Sequence, residues 1–354
     1  MLNCIRWGIL GTGGVASLFA EGLRSVPGSE LHAVASRTDA TASRFAELFR
    51  AARSYGRYDA LVADPEVDVV YVATPNAMHA EHCILALEAG KPVLCEKPFT
   101  LDAEEARRVV STARRRGLFC MEAMWMRFAP AVREVMTLVD EGRIGDVRMA
   151  TFELGMSFTF DPQHRVFQPA LGGGALLDLG VYPLSLASRL FGAPSLISAQ
   201  GTVGETGVDE QLAVLLQYPG GRQATIGASL RNPMVNEGVI MGRRGLIKLQ
   251  APLYFPPAFT IMDVAPAGPP RVRPGGALSR LKQSPVVRAV AARVRGSQGE
   301  VRVPRSIGNG YNHEAAEVAR CLRAGERESK LMPLDESIRI METVDEIRRQ
   351  FTAS

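Results

Sequence analysis

Three stretches carry reactive groups at spacings that could support chemistry. In Val93-Leu94-Cys95-Glu96-Lys97-Pro98 an apolar run ends in an acid, a lysine and a proline. Pro98 lacks an N–H and fixes φ, so a strand stops after Lys97. The ammonium then stands on a rigid strand end, where open α/β sheets place their ligands. In Gly172-Gly173-Gly174-Ala175-Leu176-Leu177-Asp178-Leu179-Gly180-Val181-Tyr182-Pro183 an acid and a phenol lie four apart, on one face if the run is helical. Pro183 either breaks that helix or opens a new one. Asp178 and Tyr182 are then a reactive pair, or an interior tyrosine bonded to an acid. The third stretch, Gly11-Thr12-Gly13-Gly14-Val15-Ala16, lies between an apolar run at 5–10 and a helical pattern through Leu18, Phe19, Leu23 and Val26. Glycines so placed let backbone approach a pyrophosphate seated on a helix N-terminus.

The elements that must hold these groups can be read in order. A second apolar strand, 31–35, ends in Ser36-Arg37-Thr38. An acid at this point binds the ribose 2′-OH of NAD, whereas an arginine accommodates the 2′-phosphate of NADP. Ser36 and Arg37 therefore point to NADP, with stacking of Arg37 on adenine as the alternative. A helix near 40–52 leads to a strand at 67–73 that ends in Thr74-Pro75-Asn76. The following helix carries His79 and His82, which lack a third ligand of suitable spacing for a metal. His79 is instead expected to face the cofactor from the first turn. After the Lys97 strand come a helix at 102–116 and a strand at 118–121. This alternation predicts a doubly wound parallel sheet over residues 1–122.

Beyond residue 122 the rhythm changes. One helix, 129–142, gives way to period-two runs at 147–158, 195–203, 208–218, 222–231 and 235–250. Strands in succession without helices predict a second, α+β domain over 123–354, with a large, mainly antiparallel sheet. Residues 256–306 read as a basic, Pro/Gly-rich insertion, and helical patterns at 311–324 and 334–351 close the chain.

Composition narrows the class. A length of 354 residues favours two domains, and 46% hydrophobic with 22% charged residues is ordinary for a globular protein. The net charge of +4 is too small to argue for nucleic acid. No apolar run of bilayer length stands out. The start of the chain has no signal-peptide layout, and five scattered cysteines without a CxxC suggest reduced thiols in a cytoplasm.

Taken together, the stretches resemble the Gfo/Idh/MocA family of NAD(P)-dependent oxidoreductases over nearly the whole chain apart from 256–306. Residues 9–16 are similar to that family's cofactor turn, Glu96-Lys97-Pro98 to its signature tripeptide, and 173–182 to its catalytic-helix motif. Many members have histidine where this chain has Tyr182. That tyrosine, with Met121-Glu122-Ala123-Met124-Trp125 and Arg127-Phe128, most resembles the branch of dihydrodiol dehydrogenases and NADP-dependent D-xylose dehydrogenases.

The resemblance implies hydride transfer between nicotinamide C4 and a secondary alcohol or ketone of a sugar or cyclic diol. Tyr182 would be the acid/base, and Lys97 would lower its free pKa of about 10 and bond the substrate oxygen. Asp178 would orient the pair or bond a second hydroxyl, and Trp125 would wall the substrate's carbon face. The cofactor, NADP with NAD possible, would lie against Gly11, Thr12, Gly13, Gly14, Val15, Ser36, Arg37, Thr74, Pro75, Asn76, His79, Glu96 and Lys97. A homo-oligomer, dimer or tetramer, would form through the second sheet. The rival expectations are an NAD-dependent redox-assisted glycosidase and a non-catalytic dinucleotide-binding regulator.

Overall fold

The structure is a computed structural model that describes residues 4–264 and 299–352. The first sheet contains β1 (Ile5–Leu10), β2 (Ser29–Ala35), β3 (Arg53–Tyr55), β4 (Val69–Val72), β5 (Val93–Glu96) and β6 (Cys120–Ala123) in the order β3-β2-β1-β4-β5-β6. Every pair is parallel. Strands β4, β5 and β6 are buried at every position, as expected of a parallel sheet covered by helices on both faces. The covering helices are α1 (Gly14–Leu23), α2 (Asp39–Phe49), α3 (Tyr58–Val62), α4 (His79–Glu88) and α5 (Ala103–Arg116). Helix α5 shows why its ends fall where they do. The Asp102 side chain caps the Glu105 N–H, and Gly117, at φ +66°, ends the helix in the left-handed region. Strand β3 and helix α3 are too short to give a periodic signal and were not legible in the sequence.

The second sheet has eight strands: β7 (Val147–Gly155), β8 (Leu196–Val203), β9 (Asp209–Tyr218), β10 (Arg222–Ser229), β11 (Gly238–Gly242), β12 (Gly245–Leu249), β13 (Phe259–Asp263) and β14 (Glu300–Arg302). Their order is β14-β13-β12-β11-β7-β10-β9-β8, antiparallel except for the parallel β7–β10 pair. The run 235–250 is two strands rather than one, because the chain reverses at Arg243-Arg244 between Gly242 and Gly245. Strands β13 and β14 pair with each other inside the span 256–306 read as a basic insertion, so both ends of that span belong to the sheet, and most of the rest lies outside the described residues.

Helices α6 (Pro130–Asp140), α7 (Val181–Phe191), α8 (Tyr311–Ala324) and α9 (Leu334–Thr352) complete the described elements. In β9, Leu212, Val214 and Leu216 are buried, while Ala213 is exposed and Leu215 half-buried on the opposite face. One stretch, Pro169–Phe191, is long and apolar enough to cross a bilayer, which the sequence reading did not single out. Of its most apolar 18-residue window, 89% is buried inside the protein.

Candidate active site

The site forms where the C-terminal ends of β1, β4 and β5 meet the glycine loop and first turn of the second domain. At β1 the chain turns through Gly11, whose φ of +105° and approach to the Ala73 carbonyl exclude a side chain. A Cβ on Gly13 or Gly14 would meet nothing within 4 Å, so those glycines leave the start of α1 uncovered. No side chain caps that helix. Free N–H groups at an uncovered helix N-terminus suit a pyrophosphate, so the residues present fit a dinucleotide. Val15, half-buried, belongs to the same first turn.

Beside this turn stands a cluster of hydroxyls. Ser36 Oγ lies 3.2 Å from Thr12 Oγ1 and accepts from Thr41 Oγ1 at 2.8 Å. Arg37 is exposed at the end of β2, with no hydrogen bond or ion pair to any described residue.

Thr74, Pro75 and Asn76 follow β4. Asn76 Nδ2 donates to the Gly172 carbonyl at 3.1 Å, which ties this loop to the second domain. Gly172, at φ +75°, leaves no room for a Cβ against Leu101 and Asn76. The sequence led to the expectation that His79 faces the cofactor, but the structure places it in the interior. It is fully buried, with Nδ1 2.8 Å from the Pro98 carbonyl and Nε2 2.9 Å from the Thr74 carbonyl. Burial lowers its pKa to about 4, and a neutral ring donates to one of those carbonyls. His79 thus braces the loops after β4 and β5. Glu96 is also buried, at the end of β5. Its carboxylate accepts from Tyr71 Oη and, at 3.1 Å, from the Lys97 N–H.

Lys97 emerges half-buried from the end of β5. Its Nζ donates to the Asp178 carbonyl at 3.0 Å and lies 3.6 Å from Asp178 Oδ1. It also stands 4.9 Å from the centre of the Tyr182 ring. An ammonium has three N–H donors, so these contacts leave capacity for a substrate oxygen. Asp178 and Tyr182 come together because residues Leu176–Gly180 form a wide π turn that runs straight into α7. Pro183 sits in the first turn of α7 without an N–H to give, and the Asp178 carbonyl is taken by Lys97 instead.

Asp178 Oδ1 also accepts from Arg165 Nη1 at 2.9 Å. Burial raises the Asp178 pKa, but the Lys97 and Arg165 charges outweigh it and hold the carboxyl below its ordinary range. Tyr182 Oη accepts from Trp125 Nε1 at 3.0 Å. Trp125 stacks in turn on Tyr254, Phe255 and Tyr311.

The expectation that Lys97 lowers the Tyr182 pKa is not met in this state. Burial pushes the phenol well above 10, the Trp125 N–H opposes this, and the Glu96, Asp178 and Glu314 carboxyls add to it. Lys97 lies over the ring face, and the groups that act most on the phenol proton are the buried surroundings, Trp125 and the carboxyls. At neutral pH Tyr182 is therefore a protonated phenol with an O–H to donate.

Two roles were not legible in the sequence. Arg165 sits in a loop with no spacing relation to Asp178, and Glu314 looks like an ordinary helix acid. The indole N–H of Trp125 toward Tyr182 was also unread, since residues 57 positions apart give no local signal.

A family model described as "Oxidoreductase family, NAD-binding Rossmann fold" matches residues 5–124, and one for the "GFO/IDH/MocA C-terminal domain" matches 132–248. The chain belongs to the Gfo/Idh/MocA family. Within that family it is 36% identical over 357 residues to trans-1,2-dihydrobenzene-1,2-diol dehydrogenase of Mus musculus, covering 98% of this chain and 96% of the relative. A solved 3-ketoreductase from Actinomadura kijaniata in complex with NADP and TDP-benzene superimposes with a TM-score of 0.78 at 28% identity, covering 98% of each chain. An aldose-aldose oxidoreductase from Caulobacter crescentus shares the fold, with a TM-score of 0.82 at 22% identity, covering 99% of this chain and 98% of that one. As a Gfo/Idh/MocA protein the chain is an NAD(P)-dependent oxidoreductase acting on CH–OH groups.

Proposed function

We propose that this oxidoreductase uses NADP, with NAD as a poorer alternative, to interconvert a secondary alcohol and a ketone on a sugar or cyclic diol. The observation that carries the reading is the convergence of Lys97, Asp178, Tyr182 and Trp125 beside an uncapped helix that follows a glycine turn. The bound nicotinamide supplies or accepts the hydride, and the protein does the rest. In reduction, Tyr182 donates its proton to the carbonyl oxygen as charge develops there. Lys97 offers its remaining N–H to the same oxygen and so stabilises that charge. Asp178 holds the ammonium in place through its carbonyl and its carboxylate. In oxidation the same oxygen gives its proton to ionised Tyr182, which the raised phenol pKa makes rarer. Trp125 fixes the Tyr182 hydroxyl and presents aromatic surface to the substrate's carbon face.

The preference for NADP rests on Arg37, exposed and without a hydrogen bond or ion pair to any described residue, beside the Thr12, Ser36 and Thr41 hydroxyls. The names of the relatives support a diol or sugar substrate. A panel of cyclic diols, aldoses and ketosugars with NADP+ or NADPH, followed at the nicotinamide absorbance band, tests the reading. Silence across the panel would remove it.

The same proposal includes a homo-oligomer. One face of the second sheet carries Met149, Met241, Leu246 and Met262 in one register row across four strands, with Val239 and Leu215 in the next row and the polar Gln223 and Thr225 of β10 between. A second copy packed on that face would cover it, whether in a dimer or a tetramer. A strictly monomeric species in light scattering at micromolar concentration counts against it.

A further inference from the structure

Glu314, one turn into α8, is fully buried, and neither of its carboxyl oxygens has a hydrogen-bond partner in the described structure. Three residues before it, Tyr311 stacks on Trp125 with ring centres 4.7 Å apart, and Trp125 donates to Tyr182. Glu314 therefore lies on the helix that backs the reacting groups, although the reaction itself gives it no task. An ionised carboxylate enclosed without donors would be very costly. A neutral carboxylic acid, with one O–H donor, is not.

Its neighbour in charge is Glu96. Burial raises the Glu96 pKa to about 7, but Glu96 holds two donors, the Tyr71 hydroxyl and the Lys97 N–H, which favour its ionised form. Glu314 holds none. Two buried carboxyls whose charges act on one another do not both ionise easily, so the proton resides on the one with fewer donors. Burial first, and the Glu96 charge after it, push the Glu314 pKa well above the carboxylate range, and no cation opposes them. The other titratable groups that sense Glu314 are Tyr71 on β4, Tyr311 on α8 itself and Tyr182 on α7.

We propose that Glu96 and Glu314 form one unit that holds a single proton beneath the active site, which makes Glu314 a positioning residue for Lys97 and Tyr182. With one negative charge in the unit, Glu96 anchors the peptide that carries Lys97. A second charge would stand under Tyr182 and hold its proton more tightly, which slows oxidation. The inference rests on the oxidoreductase reading for its effect on turnover, but the shared proton does not depend on it.

The test uses the whole purified protein without cofactor or substrate. Infrared spectra of wild type should show the carbonyl band of a neutral, buried carboxylic acid at pH 9, above the range in which the buried Glu96 and Glu122, both raised to about 7, keep a proton, and Glu314→Gln should lack it. In Glu96→Gln the band should disappear at a pH lower by about one unit or more, since Glu314 then ionises without a charged neighbour. Absence of the band from wild type would overturn the proposal, and so would its loss at the same pH in wild type and Glu96→Gln. This spectrum decides the matter even if Glu314→Gln fails to fold. For the positioning role, the rise of kcat/KM with pH in the oxidation direction should flatten in wild type above the pH at which the band is lost, where the second charge appears, and should continue unbroken in Glu314→Gln. A profile that superimposes on wild type would reduce Glu314 to a packing residue. Failure of wild type to turn over any substrate would instead remove the functional reading, with the infrared band still deciding the carboxyl pair.

Discussion

Trp125 Nε1 donates to Tyr182 Oη at 3.0 Å, so the acid/base proposed here is held by an indole rather than by the acid one turn earlier in its own helix. Asp178 is occupied elsewhere, by Arg165 and Lys97. The interior-tyrosine alternative, in which Tyr182 bonds Asp178, therefore loses its partner. What remains is a phenol fixed at its oxygen and surrounded by carboxyls.

Tyr182→Phe should retain fold and cofactor binding while lowering turnover on the order of 10² to 10⁴. If the phenol only packs, the change would leave the rate nearly intact and cost about 1 kcal/mol of stability through the lost bond to Trp125. Thermal melts and steady-state rates on the one variant separate these outcomes.

Lys97→Met should lose turnover by a comparable factor. Because Lys97 and Tyr182 act on one oxygen, the double variant should lose little more than either single change. Multiplicative losses in the double variant would mean that the two work independently.

Arg37→Ala should weaken NADP binding more than NAD binding, since only NADP carries the 2′-phosphate. Titrations with both cofactors check this. Equal losses would leave adenine stacking as the better account of Arg37.

The raised pKa of Tyr182 sets the direction of the pH dependence. Below that pKa the phenol keeps its proton, so ketone reduction should hold level from pH 6 to 9, about four to one units under the ordinary phenol value. Alcohol oxidation needs the ionised form, so its kcat/KM should climb about tenfold per pH unit over the same range. A bell centred near neutrality in the oxidation direction would show that another group is the base.

Much of the Rossmann half was legible because its signals are local. Apolar runs, a glycine turn and a proline after Lys97 each report on a few adjacent residues. The closeness of Asp178 and Tyr182 was legible for the same reason, while the π turn that produces it was not, since Pro183 fits a break as well as a bulge. His79 was misplaced because a histidine in a helix's first turn looks the same whether it faces a cleft or two buried carbonyls. Arg165, Trp125 toward Tyr182, and Glu314 depend on contacts between distant segments. No periodicity records those.

The join between the π turn and α7 is a defect that works as a socket. Carrying the wide register five residues on from Asp178 brings the chain to residue 183, where proline offers no N–H, so the carbonyl of Asp178 stays open to Lys97 Nζ. Restoring that N–H would make a more regular helix and give the carbonyl a partner within its own chain segment. Local regularity and the address of the ammonium proposed to act on substrate therefore compete for a single oxygen atom, and under that proposal a sounder helix here would make a poorer enzyme.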